Sequence, residues 1–218
     1  MERLILIFEI IGTISFALTG AMTGLKKQMD IFGVCVLGVT TAVGGGIIRD
    51  LILGLTPPSA FCDPTSVLIA IAVSIIVFFP AVRRIFYRNK WLYEHVLLLA
   101  DSAGLGIFTV CGARVAMEAG DGANRFLVIF VAALTGVGGG VLRDLFAGDR
   151  PYIFVKHVYA CSALLGALVC VYLWPLVGRD IAMLVGFVLV FAMRLCSAHF
   201  RWSLPHARRL AEEEEKTS

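Results

Sequence analysis

Two adjacent charge pairs, Arg49-Asp50 and Arg143-Asp144, each stand two residues beyond a run of three glycines in an otherwise apolar stretch. Charge at membrane depth is costly and marks a functional site by default. The glycines, Gly44 to Gly46 and Gly138 to Gly140, cost about 1 kcal/mol each in a helix interior relative to alanine, so they predict a bend or an opening of the helix. Opened backbone is tolerated in a bilayer only where it is buried in protein or lines a watery cavity. Carbonyls freed at the triplets suit a transient K+ or Na+, and freed N–H groups suit a carboxylate. The residues alone therefore admit a cation path or a zwitterion such as an amino acid.

The elements that carry these groups follow from composition. The chain has 218 residues, 59% hydrophobic and 16% charged, with a mean hydropathy of +0.87. A soluble domain of this size could not cover so much apolar surface, and a bilayer-spanning helix needs about 20 apolar residues. An all-α polytopic membrane protein is expected, with seven spans near 4–25, 31–54, 65–82, 92–113, 125–147, 152–174 and 180–200. Cys35, Cys62, Cys111, Cys161, Cys170 and Cys196 show no paired spacing and read as small core residues. The apolar N-terminus lacks a basic region followed by a cleavage site and reads as a retained first span.

Basic residues set the direction. Lys26, Lys27, Arg83, Arg84, Arg88, Lys90, Arg150, Lys156, Arg201, Arg208 and Arg209 fall on one side, against Arg3, Arg114, Arg125 and Arg179 on the other. The positive-inside rule then places the N-terminus outside and the C-terminus in the cytoplasm, and Trp91, Trp174 and Trp202 sit at span ends as interfacial aromatics do. The tail from Arg201 to Ser218 turns from basic to acidic at Glu212 to Glu215 and carries no chemistry.

The two motif stretches, Thr41–Gly54 and Thr135–Gly148, are 94 residues apart and share nine of fourteen positions. The helices before them match at a spacing of 92, aligning Glu9, Gly12, Phe16, Gly20 and Ala21 with Asp101, Gly104, Phe108, Gly112 and Ala113. Three spans per copy force the second copy to enter from the opposite face, the inverted-repeat arrangement. The expected organisation is a first repeat over 1–88, a second over 89–176, a seventh helix over 177–200 and a tail over 201–218, with the second and fifth spans kinked.

Matching depths predict two buried ion pairs, Glu9 with Arg49 and Asp101 with Arg143. Helix neighbours point about 100° apart, so Asp50 and Asp144 are expected to cap or coordinate elsewhere. Snorkelling to the interface is the competing account of Arg49 and Arg143, and the preferred one for Arg194 and His199. Gly20 with Gly24 forms a GxxxG that packs helices, and Gly12, Gly104 and Gly112 suit the same use. Thr13, Ser15, Thr19, Ser102 and Thr109 would give a polar pore wall that Phe16 and Phe108 narrow, unless each hydroxyl simply bonds back to its own helix.

An intramembrane enzyme needs a nucleophile with a base, or a metal cluster; His95, His157, His199 and His206 all lie near span ends, outside any HExxH, and no GxSxG is present. The glycine triplet lacks the Lys-Ser/Thr of a phosphate-binding loop. No cofactor, structural metal or nucleic acid is implied.

The doubled VGGGxxRDL motif, the inverted repeat and the added seventh span resemble the prokaryotic branch of the TRIC family, the trimeric intracellular cation channels, over nearly all of residues 4–200. The same bacterial domain is also named a glycine transporter. The resemblance implies a homotrimer in a bacterial inner membrane, each subunit with its own pore for monovalent cations such as potassium. Gly44–Gly46 and Gly138–Gly140 match the family's kinks, and Arg49, Asp50, Arg143 and Asp144 match the charges beside them. Animal members carry a basic-acidic motif used with a phosphoinositide in the second repeat; this chain keeps Gly-Gly-Gly-Val-Leu-Arg-Asp, so that regulation is not implied. Arginines beside a cation path must be neutralised, by Glu9 and Asp101, or else limit conduction. A small-amino-acid carrier is the alternative.

Overall fold

A computed structural model describes residues 2–120, 124–155, 158–200 and 202. Asp121, Gly122, Lys156, His157 and, Trp202 apart, the tail from Arg201 lie outside the described residues. The secondary structure is all-α: α1 (Glu2–Lys26), α2 (Ile31–Ile52), α3 (Ser59–Cys62), α4 (Thr65–Phe78), α5 (Pro80–Arg88), α6 (Lys90–Glu118), α7 (Arg125–Phe146), α8 (Tyr152–Val155), α9 (Tyr159–Val177) and α10 (Arg179–His199).

Six of these, α1, α2, α6, α7, α9 and α10, are long and apolar enough to cross a membrane, and α4 with α5 counts as a seventh span if the bent pair is taken as one. The protein is an integral membrane protein. The third span differs from its expected limits: it stops at Phe78, and the chain then turns by 73° into α5. Pro80 at the first position of α5 has no N–H to give and starts a new helix there. The sixth span begins only at Tyr159, after the separate turn of α8.

The repeat is visible in local chemistry. Asp30 caps α2 by accepting from the Gly33 amide at 2.7 Å, and Asn124, 94 positions on, caps α7 by accepting from Leu127 at 3.1 Å. Both helices end alike. Gly54 and Gly148 adopt φ of +69° and +70°, and the amides of Leu55 and Asp149 return to the carbonyls of Asp50 and Asp144 at 2.8 and 2.9 Å. This is the glycine-terminated helix end that left-handed backbone permits.

Small residues set the packing. Gly20 lies against Leu37 and Gly38 of α2, and Gly24 against Val34, so the GxxxG joins α1 to α2. Gly112 makes the matching approach of α6 to Thr135 of α7, whereas Gly12 and Gly104 let α1 and α6 cross each other. α10 packs on α6 and α9, through Gly186 against Val110 and Gly166. Of the six cysteines only Cys111 and Cys170 are buried; Cys62, Cys161 and Cys196 are exposed and Cys35 is partly so, because they occupy outward helix faces where a thiol costs little.

Candidate functional site: two arginine–aspartate motifs about a glycine crossing

The expectation of unwound backbone at the triplets is corrected. α2 and α7 are α-helical without interruption from Ile31 to Ile52 and from Arg125 to Phe146. The triplets serve a close crossing instead. A Cβ placed on Gly45 would overlap the carbonyl oxygen of Thr135, and one on Gly139 would overlap the carbonyl oxygen of Thr41, each under 3.0 Å away. Gly138 lies against Gly45 itself. Hydrogen-bonded helix leaves no carbonyls released by unwinding, so the ground for a cation site at Gly44–Gly46 and Gly138–Gly140 is lost. Gly46 and Gly140 are not part of the crossing; they face Arg49 and Tyr159.

Beyond each crossing the Arg-Asp pair folds in the same way. Nε of Arg49 donates to Oδ1 of Asp50 at 2.7 Å, and Nε of Arg143 donates to Oδ1 of Asp144 at 2.9 Å. The other carboxylate oxygen faces the following short helix. Oδ2 of Asp50 accepts from the Ser59 amide at 2.8 Å and the Ser59 hydroxyl at 2.7 Å; Oδ2 of Asp144 accepts from the Tyr152 amide at 2.9 Å. Each aspartate thereby ties the start of α3 or α8 to the end of its long helix. The expectation that neighbouring Arg and Asp do not pair is corrected, because the long arginine stem folds back over the adjacent turn. The capping role foreseen for Asp50 and Asp144 is present alongside that pair.

The two halves part company at the third partner. Arg143 donates through Nη1 to Oδ1 of Asp101 at 2.8 Å, as expected from the sequence. The Tyr159 hydroxyl also donates to that oxygen at 3.5 Å. Arg194 is turned inward rather than snorkelling: it is 3% exposed, stands 3.6 Å from Oδ2 of Asp101, and lies over the Tyr159 ring at 4.7 Å. Asp101 supplies a counter-charge that an outward rotamer would forgo. His199 is exposed, as expected.

The first-repeat pair, Glu9 with Arg49, does not form. Glu9 meets Arg114 at 3.3 Å, and the chain of charge continues from Arg114 to Glu118 at 3.9 Å and from Glu118 to Arg179 at 3.1 Å. Arg49 is satisfied by Asp50 and by Ser59, whose hydroxyl lies 3.3 Å from Nη2. Arg114 stands at the same end of the bundle as Glu9, since α1 and α6 run antiparallel. The residue aligned with it in the first repeat is Met22, so the repeat alone gave no sign of the competitor.

Thr13, Thr19, Ser102 and Thr109 are buried. Thr19 and Thr109 bond back to the carbonyls of Phe16 and Leu105 at 2.9 and 2.7 Å. Ser102 Oγ and Oδ2 of Asp101 are buried without a hydrogen-bond partner. Phe16 packs against Phe108 with the rings tilted by 40° and 5.1 Å between centroids, and fills the space beside Gly104 and Gly139, with 1% of its surface exposed.

Known proteins share this fold. A family profile described as "Glycine transporter" matches residues 6–81 and 98–175, both halves of the repeat. Solved structures cover almost the whole chain. A prokaryotic TRIC channel in 0.5 M KCl is 32% identical, with a TM-score of 0.83 over 94% of this chain and 100% of that one. The TRIC orthologue of Rhodobacter sphaeroides is 34% identical, with a TM-score of 0.83 over 91% and 99%. The chain belongs to the prokaryotic TRIC family. A third TRIC structure, from work on conductance through TRIC cation channels, is 38% identical with a TM-score of 0.82 over 93% and 97%. Among curated relatives, the UPF0126 membrane protein YvgT of Bacillus subtilis is 36% identical over 92% of this chain and 95% of its own. A UPF0126 membrane protein of Deinococcus radiodurans is 38% identical over 94% and 92%. The solved TRIC relatives are channels, not enzymes, and the intramembrane-enzyme reading ends there.

Proposed function

We propose that the protein is a monovalent cation channel, permeable to potassium, with one pore in each subunit of a homotrimer. The observation that carries this reading is the likeness to solved TRIC cation channels over nine-tenths of the chain. The local chemistry supports it. An uncompensated arginine beside the path would repel cations, and here Arg49 has Asp50 while Arg143 has Asp101 and Asp144. The proposed path runs beside the α2–α7 crossing, from the Arg49–Asp50 end to the Arg143–Asp144 end. Thr13 and Ser102 supply its polar wall, whereas the Thr19 and Thr109 hydroxyls are spent on their own helices; Glu9 and Asp101 are its flanking carboxylates, and Phe16 with Phe108 its hydrophobic constriction.

The functional units are the repeats over 1–88 and 89–176, with 177–200 as an added helix. The setting is a bacterial inner membrane with the N-terminus outside, the C-terminus in the cytoplasm and lipid around the trimer. The description of the matching profile favours one competing reading, a carrier of a small amino acid such as glycine.

Purified protein in a planar bilayer with potassium chloride as the only solute separates the two. Discrete unitary currents with a cation-selective reversal potential are expected. Electrical silence together with saturable glycine uptake into proteoliposomes would reject the channel.

A further inference from the structure

We propose that α5 is a membrane-surface helix that gathers anionic phospholipids about its end of the protein. α4 is only 14 residues long, about 21 Å. Beyond the 73° bend, Phe86 of α5 packs on the cluster that holds Met22 and Leu25 from the last turns of α1 and Val34 from the first turn of α2, so the bend falls near the interface at which α1 ends and α2 begins. α5 then runs across the bilayer surface instead of through it.

Its sequence divides by face. At 100° per residue, Arg83, Arg84 and Arg88 share one side, and Val82, Ile85 and Phe86 the other. Phe86 packs on the cluster of Met22, Leu25, Val34 and Val77, while Ile85 remains 55% exposed and Phe79, at the bend, 63%. Those two side chains lie where acyl chains begin.

Charge identifies the occupant. Arg83, Arg84 and Arg88 are exposed, Lys90 follows, and no acidic residue stands between Asp63 and Glu94. Among the described residues none of the three arginines has an ion-pair partner. A basic stripe above an exposed apolar one, at headgroup depth, fits lipids with an anionic phosphodiester headgroup. Two scattered apolar residues offer no groove for a protein helix. Trp91, exposed just beyond, suits the same depth.

The test uses the full chain with Cys62, Cys161 and Cys196 replaced by serine and a bimane on Ile85→Cys, in nanodiscs. Brominated phosphatidylglycerol and brominated phosphatidylcholine are compared at equal mole fraction. Phosphatidylglycerol should quench about two- to threefold more strongly, and the preference should fall to parity in the folded Arg83→Gln/Arg84→Gln/Arg88→Gln variant. Equal quenching in the parent, a preference that survives the triple change, or no quenching by either lipid overturns the proposal. Loss of potassium currents with the preference intact would count against the channel alone.

Discussion

Arg143 donates to Asp101 at 2.8 Å with both side chains 2% exposed, whereas its repeat counterpart Arg49 finds its acidic partner in Asp50 on its own helix. One end of the bundle thus holds a buried interhelical ion pair and the other does not. Asp101 is also the nearest counter-charge to Arg194.

Removing Asp101 leaves Arg143 with Asp144 alone and takes from Arg194 the carboxylate it faces; breaking a buried pair costs about 3–5 kcal/mol. Asp101→Asn should therefore lower the thermal unfolding temperature in detergent far more than Glu9→Gln. The Glu9–Arg114 pair is part-exposed and of the kind worth about 0–1 kcal/mol. Equal shifts for the two variants would contradict the asymmetry.

Within the first triplet the three glycines should not behave alike. Gly45→Ala drives a methyl into the Thr135 carbonyl and should cost about 1–3 kcal/mol as overpacking. Gly46→Ala meets only the far end of Arg49, at 3.7 Å, and should be tolerated or mildly stabilising through helix propensity. Melting curves of both variants check this; similar losses would point to a broken helix at the triplet.

Exchanging charge tests which partner Glu9 has. The double change Glu9→Arg with Arg114→Glu should recover the stability lost in either single variant, a coupling of about 0.2–1 kcal/mol. Glu9→Arg with Arg49→Glu should recover nothing. Unfolding midpoints of the five variants decide the matter, and rescue of the Arg49 combination would restore the pair expected from the repeat.

Phe16 sits between Gly104 and Gly139 beside the helix crossing. Phe16→Ala should cost about 3–5 kcal/mol of stability as a core truncation. If Phe16 also forms the constriction, potassium efflux from proteoliposomes per folded channel should rise as well. Reduced stability with unchanged flux would leave it a packing residue only.

Much of the site was legible because duplication wrote it twice. The Arg-Asp motif recurs with its glycines, and the Asp101–Arg143 contact followed from depth alone. Depth failed for Glu9 and Arg49 because symmetry was assumed where the sequence had already broken it. Arg114 aligns with Met22, and Arg194 lies on a helix with no counterpart. A search for any cation at the depth of Glu9 would have turned up Arg114, a lone basic residue near a span end. The triplets misled for a different reason: a glycine run reads equally as weak helix or as room for a neighbour, and only the facing carbonyls of Thr41 and Thr135 distinguish them. The bend at Phe79-Pro80 was signalled by the proline, yet unbroken hydropathy through residue 82 concealed it.

The reciprocal seating of Gly45 on the Thr135 carbonyl and Gly139 on the Thr41 carbonyl has a mechanical corollary. A joint seated on two bare backbones, with Leu142 over Gly44 and Phe16 against Gly139 beside it, has room for nothing larger than hydrogen at its centre. The two Arg-Asp ends, one helical turn beyond it on each helix, are thereby held at a spacing that the backbones themselves set.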